Sequence, residues 1–172
     1  MARSLHGGAM HSRYHAGIMI RPLRNGDTAP VVALLDRLGP QSRARRFGGA
    51  KPRLSDAELR ALARVDRDHH VLVAYVEGDP EPAGMAQLVR DGSAAEVACA
   101  VADDCQGHGV GAILTRELAA DARAAGITEL HATVCGDNPR AVALLTRCAQ
   151  TLDVTWRGRE REFVVGLARR AS

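Results

Sequence analysis

Aromatic side chains are scarce in this chain: Phe, Trp and Tyr together make up 3% of it. A core must therefore rest on Ala, Val and Leu, and the interleaving of aromatic and basic residues that marks a nucleic-acid surface is missing. Charge of one sign is also in short supply. The formal net charge is +3, with the arginines spread through the chain, so no concentrated basic face points to nucleic acid. No apolar run approaches the length that spans a bilayer, so no membrane is expected. The four cysteines, Cys99, Cys105, Cys135 and Cys148, form no C-x-x-C pair and have no metal-type histidine spacing beside them, so no metal is expected. Cys99 and Cys135 fall in strand-like stretches and read as small buried residues. Residues 1–16 are polar, with scattered glycines and with His6, His11 and His15 at irregular spacing. They read as a disordered segment, neither a signal peptide nor a metal site, and a cytoplasmic protein is expected. Internal repeats and linkers are lacking too. What remains is 46% hydrophobic and 25% charged, which suits one domain over residues 17–170.

The chain is organised around residues 95–126. A strand over 94–101, with β-branched Val97 and Val101, breaks at Ala102-Asp103-Asp104-Cys105 and meets a glycine-rich turn, Gln106-Gly107-His108-Gly109-Val110-Gly111. A helix follows, with Ile113, Leu114, Leu118 and Ala122 on one stripe and Gly126 as its C′ residue. Strand, glycine turn and helix N-terminus together make an anion site, because backbone N–H groups can approach phosphate oxygens and the helix dipole favours negative charge. Three readings are open at this point. Gly107-x-Gly109-x-x-Ala112 matches a dinucleotide fingerprint, Gln106-x-x-Gly109-x-Gly111 matches the pyrophosphate loop of acyl-CoA-dependent N-acyltransferases, and the turn could also be a plain strand-to-helix connection. Context argues against a dinucleotide. Such a domain needs further βαβ units, which the remainder of the chain cannot supply, and the expected acidic residue has only Asp137 as a late candidate.

Around this stretch the periodicities predict a strand over 17–23, a turn at Asn25-Gly26-Asp27 with Asp27 as N-cap, and a helix to Leu38 that Gly39-Pro40 ends. Residues 41–47 gather Arg43, Arg45, Arg46 and Phe47, either a solvated charged helix or a rim for an acidic partner or for phosphates. Ser55-Asp56-Ala57-Glu58 is a capping box opening a helix through Val65. Asp68, His69 and His70 fit structural hydrogen bonding or a place near a substrate entrance better than a metal, since adjacent strand side chains point to opposite faces. Strands follow over 70–77 and 83–90, and Asp91-Gly92 is a hairpin signal leading into the central strand. After the core helix come a strand over 129–135, a helix capped by Asn138 with Pro139 at its first position, and two last strands over 152–157 and 161–167. The order predicts an α/β (α+β) fold with a mixed, mostly antiparallel central sheet and helices on both faces.

Glu96, the turn Gln106 to Gly111 and Asn138 resemble the GNAT superfamily of N-acetyltransferases, strongly over residues 85–145 and loosely over 17–168. Ser42-Arg43-Ala44-Arg45-Arg46-Phe47, residues 54–74 and the central stretch are similar to the catalytic domain of bacterial Pat-type protein lysine acetyltransferases. The resemblance implies a splayed strand pair, with acetyl-CoA as cosubstrate held by the backbone of Cys99, Ala100 and Val101 and by Gln106, Gly107, His108, Gly109, Val110, Gly111, Ala112 and Asn138. It implies an amine acceptor, a protein lysine such as that of an acyl-CoA synthetase, near Arg46, Phe47, Asp66 and His70. Glu96 is the candidate general base: a lysine ammonium has a pKa of about 10.4, and small apolar neighbours at 94, 95, 97 and 98 are expected to desolvate the carboxylate into a useful range. The tyrosine that many GNAT enzymes use to protonate the leaving thiolate is replaced by Leu145, so the general acid is unassigned. Two other functions stand beside this one: acetylation of a small-molecule amine, and a non-catalytic acyl-CoA-sensing module.

Overall fold

The computed structural model describes residues 12–49, 51, 53–136, 138–148 and 150–167. The readings made on His6, His11, Asp137 and the ends of the chain lie outside these residues. Among the described residues eight strands and five α-helices follow in the order β1 (Arg13–His15), β2 (Ile18–Pro22), α1 (Ala29–Asp36), α2 (Pro40–Phe47), α3 (Asp56–Leu62), β3 (His69–Val76), β4 (Pro82–Asp91), β5 (Ala94–Val101), α4 (Val110–Ala124), β6 (Glu129–Cys135), α5 (Pro139–Cys148), β7 (Gln150–Arg157) and β8 (Glu160–Gly166). The strands form one sheet in the order β1-β2-β3-β4-β5-β6-β8-β7. Every neighbouring pair is antiparallel except β5–β6, which is parallel.

Burial follows the period-two alternation of the strands. In β5, Ala95 and Val97 are buried while Glu96 is exposed; in β6, Leu130, Ala132 and Val134 are buried between His131 and Thr133. β3 is buried on both faces, as a central strand between two helical layers should be. On one face lies α4, with Val110, Leu114, Leu118, Ala119 and Ala122 turned inward. A Cβ at Gly84 of β4 would stand 2.9 Å from Leu114 Cδ1 and 3.0 Å from the Ala100 carbonyl oxygen, so only glycine lets helix and strands approach this closely. The other face is roofed by α2 and α3, which reach the sheet through Arg46 and Leu62.

Two local features differ from the sequence expectation. The fold begins before residue 17: β1 pairs with β2, and Arg13 donates to Asp121 at 2.7 Å and to Glu117 at 3.1 Å on α4. A three-residue strand has too little pattern to be read locally, and the partners that hold it lie far along the chain. The first helix is also shorter, ending at Asp36, and Pro40 stands at the first position of α2 after Gly39 in an extended conformation. The capping box of α3 is present, Glu58 N–H donating to Ser55 Oγ and Ser55 N–H to Glu58 Oε2. Among the described residues no helix is long and apolar enough to cross a membrane.

Candidate active site

Glu96 stands where the sheet divides. The parallel ladder between β5 and β6 consists of Ala94↔Glu129, Ala95↔Leu130 and Glu96↔His131. Beyond that last pair β5 continues along β4 to Val101, while β6 continues along β8 to Cys135. The opening therefore starts at Glu96 and runs toward the end of β5, where the glycine turn and the N-terminus of α4 lie.

That turn leaves the N-terminus of α4 without a side-chain cap. A 3₁₀ turn at Asp103–Cys105 leads into it, and Gly107 and Gly109 both have φ of +85°, a left-handed conformation that glycine adopts without a Cβ penalty. Gly109 is the N-cap of α4 and supplies no side-chain cap, and the first turn of α4 holds no acidic residue. The leading N–H groups of α4 thus face outward with the helix dipole behind them. Gln106 ties the turn to its surroundings: its Nε2 donates to Asp103 Oδ1 at 3.1 Å, to the Val101 carbonyl at 3.3 Å and to Ser42 Oγ on α2 at 3.3 Å. Arg140 on α5 donates to Gln106 Oε1 at 3.0 Å, which puts a cation beside the turn. The nearby carboxylates have partners: Asp104 accepts from Arg37 at 2.7 Å, and Asp103 accepts from the Gly39 N–H at 3.0 Å as well as from Gln106. The bond that Arg37 donates to Asp104, outweighing burial, holds its guanidinium well above the ordinary pKa.

The structure groups the sequence-predicted residues unequally. Cys99, Ala100 and Val101 lie on β5 beyond its last pair with β6, and the turn from Gln106 leads from there into α4 at Val110. Asn138 accepts from the Ala141 N–H at 3.2 Å and so caps α5. Leu145 is buried on α5. Arg46 shares a recess of about 300 Å³ with Glu96, together with Gln87, Arg64 and His69, and Phe47 lies 5.2 Å below the Arg46 guanidinium. Asp66 holds His69 Nδ1 at 2.8 Å and Arg64 Nε at 2.5 Å; these bonds, His69 foremost, keep its carboxyl well below the usual range. His70 is not brought to Glu96. It is buried on the opposite face of β3, 2.9 Å from Asp121 on α4. Glu96 itself is exposed rather than desolvated by its small neighbours, because the parting of β5 from β6 lets water reach it.

Three side chains around the site were not singled out from sequence. Gln87 interrupts the apolar run of β4 and donates to the Leu62 carbonyl at 2.7 Å, and a polar residue inside a buried strand was its signal. His131 lines a second recess of about 360 Å³ with Glu96, Val89, Thr133 and Glu162; alternation in β6 marks it as outward-facing, but only the parallel register sets it beside Glu96. Arg140 carried no local signal. Among the described residues no group of His, Cys, Asp and Glu is arranged to hold a metal.

Against known proteins, the model of the acetyltransferase (GNAT) family matches residues 40–149. The chain is similar to an acetyltransferase of Pseudomonas aeruginosa, with 31% identity over 119 residues, 66% of this chain and 64% of that one. It is similar to the acetyltransferase Pat of Mycolicibacterium smegmatis, with 32% identity over 123 residues, 69% of this chain and 37% of that one. The match thus spans less than two thirds of either relative. Among solved structures, the GNAT domain of S. lividans PAT superposes with a TM-score of 0.78 at 25% identity, covering 87% of this chain and 90% of that one.

Proposed function

The chain belongs to the GNAT family of acetyltransferases, and on that premise we propose that it moves the acetyl group of acetyl-CoA directly onto a primary amine, that of a protein lysine, with Glu96 as general base. The observation that carries this reading is the strand register: Glu96 and His131 form the last pair before β5 and β6 part, so the carboxylate stands at the closed end of an opening whose other end is the uncapped N-terminus of α4.

The residues fit the donor. Beside Gly107 and Gly109 a Cβ would meet nothing within 4 Å, so the turn is open to a ligand, and its N–H groups with Arg140 suit a diphosphate. Acetyl-CoA supplies the activated acyl group as a thioester. Backbone groups of Ala98, Ala100 and Val101 are positioned to pair with the pantetheine arm as a strand would, and an N–H past Glu96 to stabilise charge gathering on the carbonyl oxygen. Glu96 takes the proton that an ammonium with a pKa of about 10.4 must lose before it can attack. With Leu145 on α5 in place of a hydroxyl, solvent returns a proton to the leaving thiolate.

An acceptor presented by another protein fits the exposure of Glu96, which two recesses approach from either side. The similarity to Pat points the same way. The carboxylate then loses its water only when the acceptor covers it, which ties base strength to productive binding. Glu96→Gln keeps the size of the side chain and removes the base. The expected result is a fall in kcat of about 10²–10⁴-fold with acetyl-CoA affinity unchanged, measured by thiol release and by calorimetry. Turnover equal to wild type would end the assignment.

A further inference from the structure

One recess beside Glu96 holds a guanidinium that touches no carboxylate among the described residues. Two arginines, Arg46 and Arg64, line it together with His69. Arg64 and His69 share Asp66. Arg46 has no carboxylate at ion-pair distance among the described residues. Its guanidinium donates to Gln87 Oε1 and stacks on Phe47. Gln87 is neutral, and its amide is oriented by the bond from Nε2 to the Leu62 carbonyl, which aims Oε1 back at Arg46.

Arg46 is half-buried. Burial depresses its pKa, while Cys99 and Glu96 pull it back up, and a guanidinium stays charged through such shifts. A cation removed from water without a touching anion is held at a cost that an arriving anion relieves. Arg46 is not spent on Glu96, because the two form no ion pair, and with one bond given to Gln87 its planar fork keeps donors for a bidentate partner.

We propose that Arg46 is the anion receptor of the acceptor site: the amine delivered to Glu96 belongs to a molecule that carries a carboxylate beside that amine, and Arg46 binds the carboxylate. This rests on the acetyl-transfer reading and narrows its substrate class. Two sources share the chemistry, the side chain of an acidic residue next to an acceptor lysine and the α-carboxylate of a free amino acid. A recess of about 300 Å³, at the small end of ligand pockets, takes one such group and its linker.

Four acceptors separate the cases: a lysine peptide with glutamate beside the lysine, the same peptide with glutamine there, free L-lysine, and cadaverine, which lacks the α-carboxylate. In wild type the KM for the glutamate peptide is expected about tenfold below that for the glutamine peptide, and in Arg46→Gln that ratio collapses toward one, with Arg46→Lys between. A ratio that appears for lysine over cadaverine instead identifies the free amino acid as the source. No preference in either pair, or a ratio that Arg46→Gln leaves intact, overturns the proposal; the wild-type ratios need no variant to fold. Calorimetry of the glutamate peptide against the CoA-loaded protein keeps the two readings apart. Binding that needs Arg46, without turnover of any acceptor, keeps the receptor and sinks acetyl transfer. Turnover without charge preference does the reverse, and absence of both binding and turnover removes both.

Discussion

Asp121 shows how a single side chain can be tied into the fold from three elements. Burial by itself would raise its carboxyl pKa, but hydrogen bonds from His70 and Arg13 outweigh that, and the net effect is a carboxyl below its ordinary value. Glu117 flanks it and shares Arg13. A carboxyl depressed in the folded state stabilises above its unfolded pKa of about 3.9, and that contribution is lost as pH falls through the folded value. Asp121→Asn is therefore expected to cost about 2 kcal/mol near neutral pH, where it removes the carboxylate that pairs with His70 and Arg13 and leaves Arg13 with Glu117 alone. The gap should close toward the acid end of the stability curve, as urea unfolding at a series of pH values would read. A gap of one size at every pH would show that the charge of Asp121 is not what stabilises. That Glu96 stands on a strand and Gln106 in a turn was legible because their neighbours spell those elements. His70 was not, since paired histidines entering a strand must face opposite ways, and only the position of α4 decides which of His69 and His70 is covered. Arg46 was visible as one arginine in a cluster, but its separation from Arg43 and Arg45 depends on Gln87 from another strand.

At the scale of elements, the junction from β5 to α4 was legible as a unit. A β-branched strand, a glycine turn and an apolar stripe each use a local rule, and the strand bounds of 94–101 and 129–135 agree with the structure. The parting of β5 from β6 after Glu96 was implied by resemblance alone, because the register of a parallel pair is set by the packing of α4 between the strands and not by their own residues. Likewise β1 escaped notice because its anchors, Glu117 and Asp121, are on a helix remote in sequence. The turn gives a direct test of the anion site. Gly109 caps α4 with φ of +85°, so Gly109→Ala adds no clash within 4 Å but places an L-residue in the left-handed region at about 1–2 kcal/mol. If relaxing that strain turns the leading N–H groups away, acetyl-CoA should bind about tenfold more weakly, while Glu96 and the acceptor recess are untouched. Calorimetry with CoA would measure the loss, and an affinity equal to wild type would mean that the turn does not hold the diphosphate.

Taken as a whole, the molecule is two half-sheets, β1–β5 and β6–β8, joined by a short parallel seam and by α4. The seam alone would be weak, but the buried residues of both halves belong to one contiguous cluster: Leu130, Ala132, Val134, Phe163 and Val165 from one side, Leu72, Leu88, Val97 and the inner stripe of α4 from the other. One core implies one cooperative transition. Trp156, the single tryptophan, lies on the β7–β8 hairpin, stacked 5.0 Å from the Arg161 guanidinium. Its fluorescence therefore reports the second half, while far-UV circular dichroism reports the whole, and the two unfolding curves are expected to coincide. A ligand that pairs with β5 at the opening and anchors on α4 stabilises only the folded state. At a hundredfold excess over its Kd it adds about 2.7 kcal/mol, which for a domain of this size raises Tm by about 5–10 °C. CoA should produce that shift in wild type and equally in Glu96→Gln, less in Gly109→Ala, and both probes should move together. A shift in circular dichroism that leaves the Trp156 transition in place would mean that the halves melt separately. No shift at millimolar CoA would mean that the folded chain does not bind the ligand at the parting of β5 and β6.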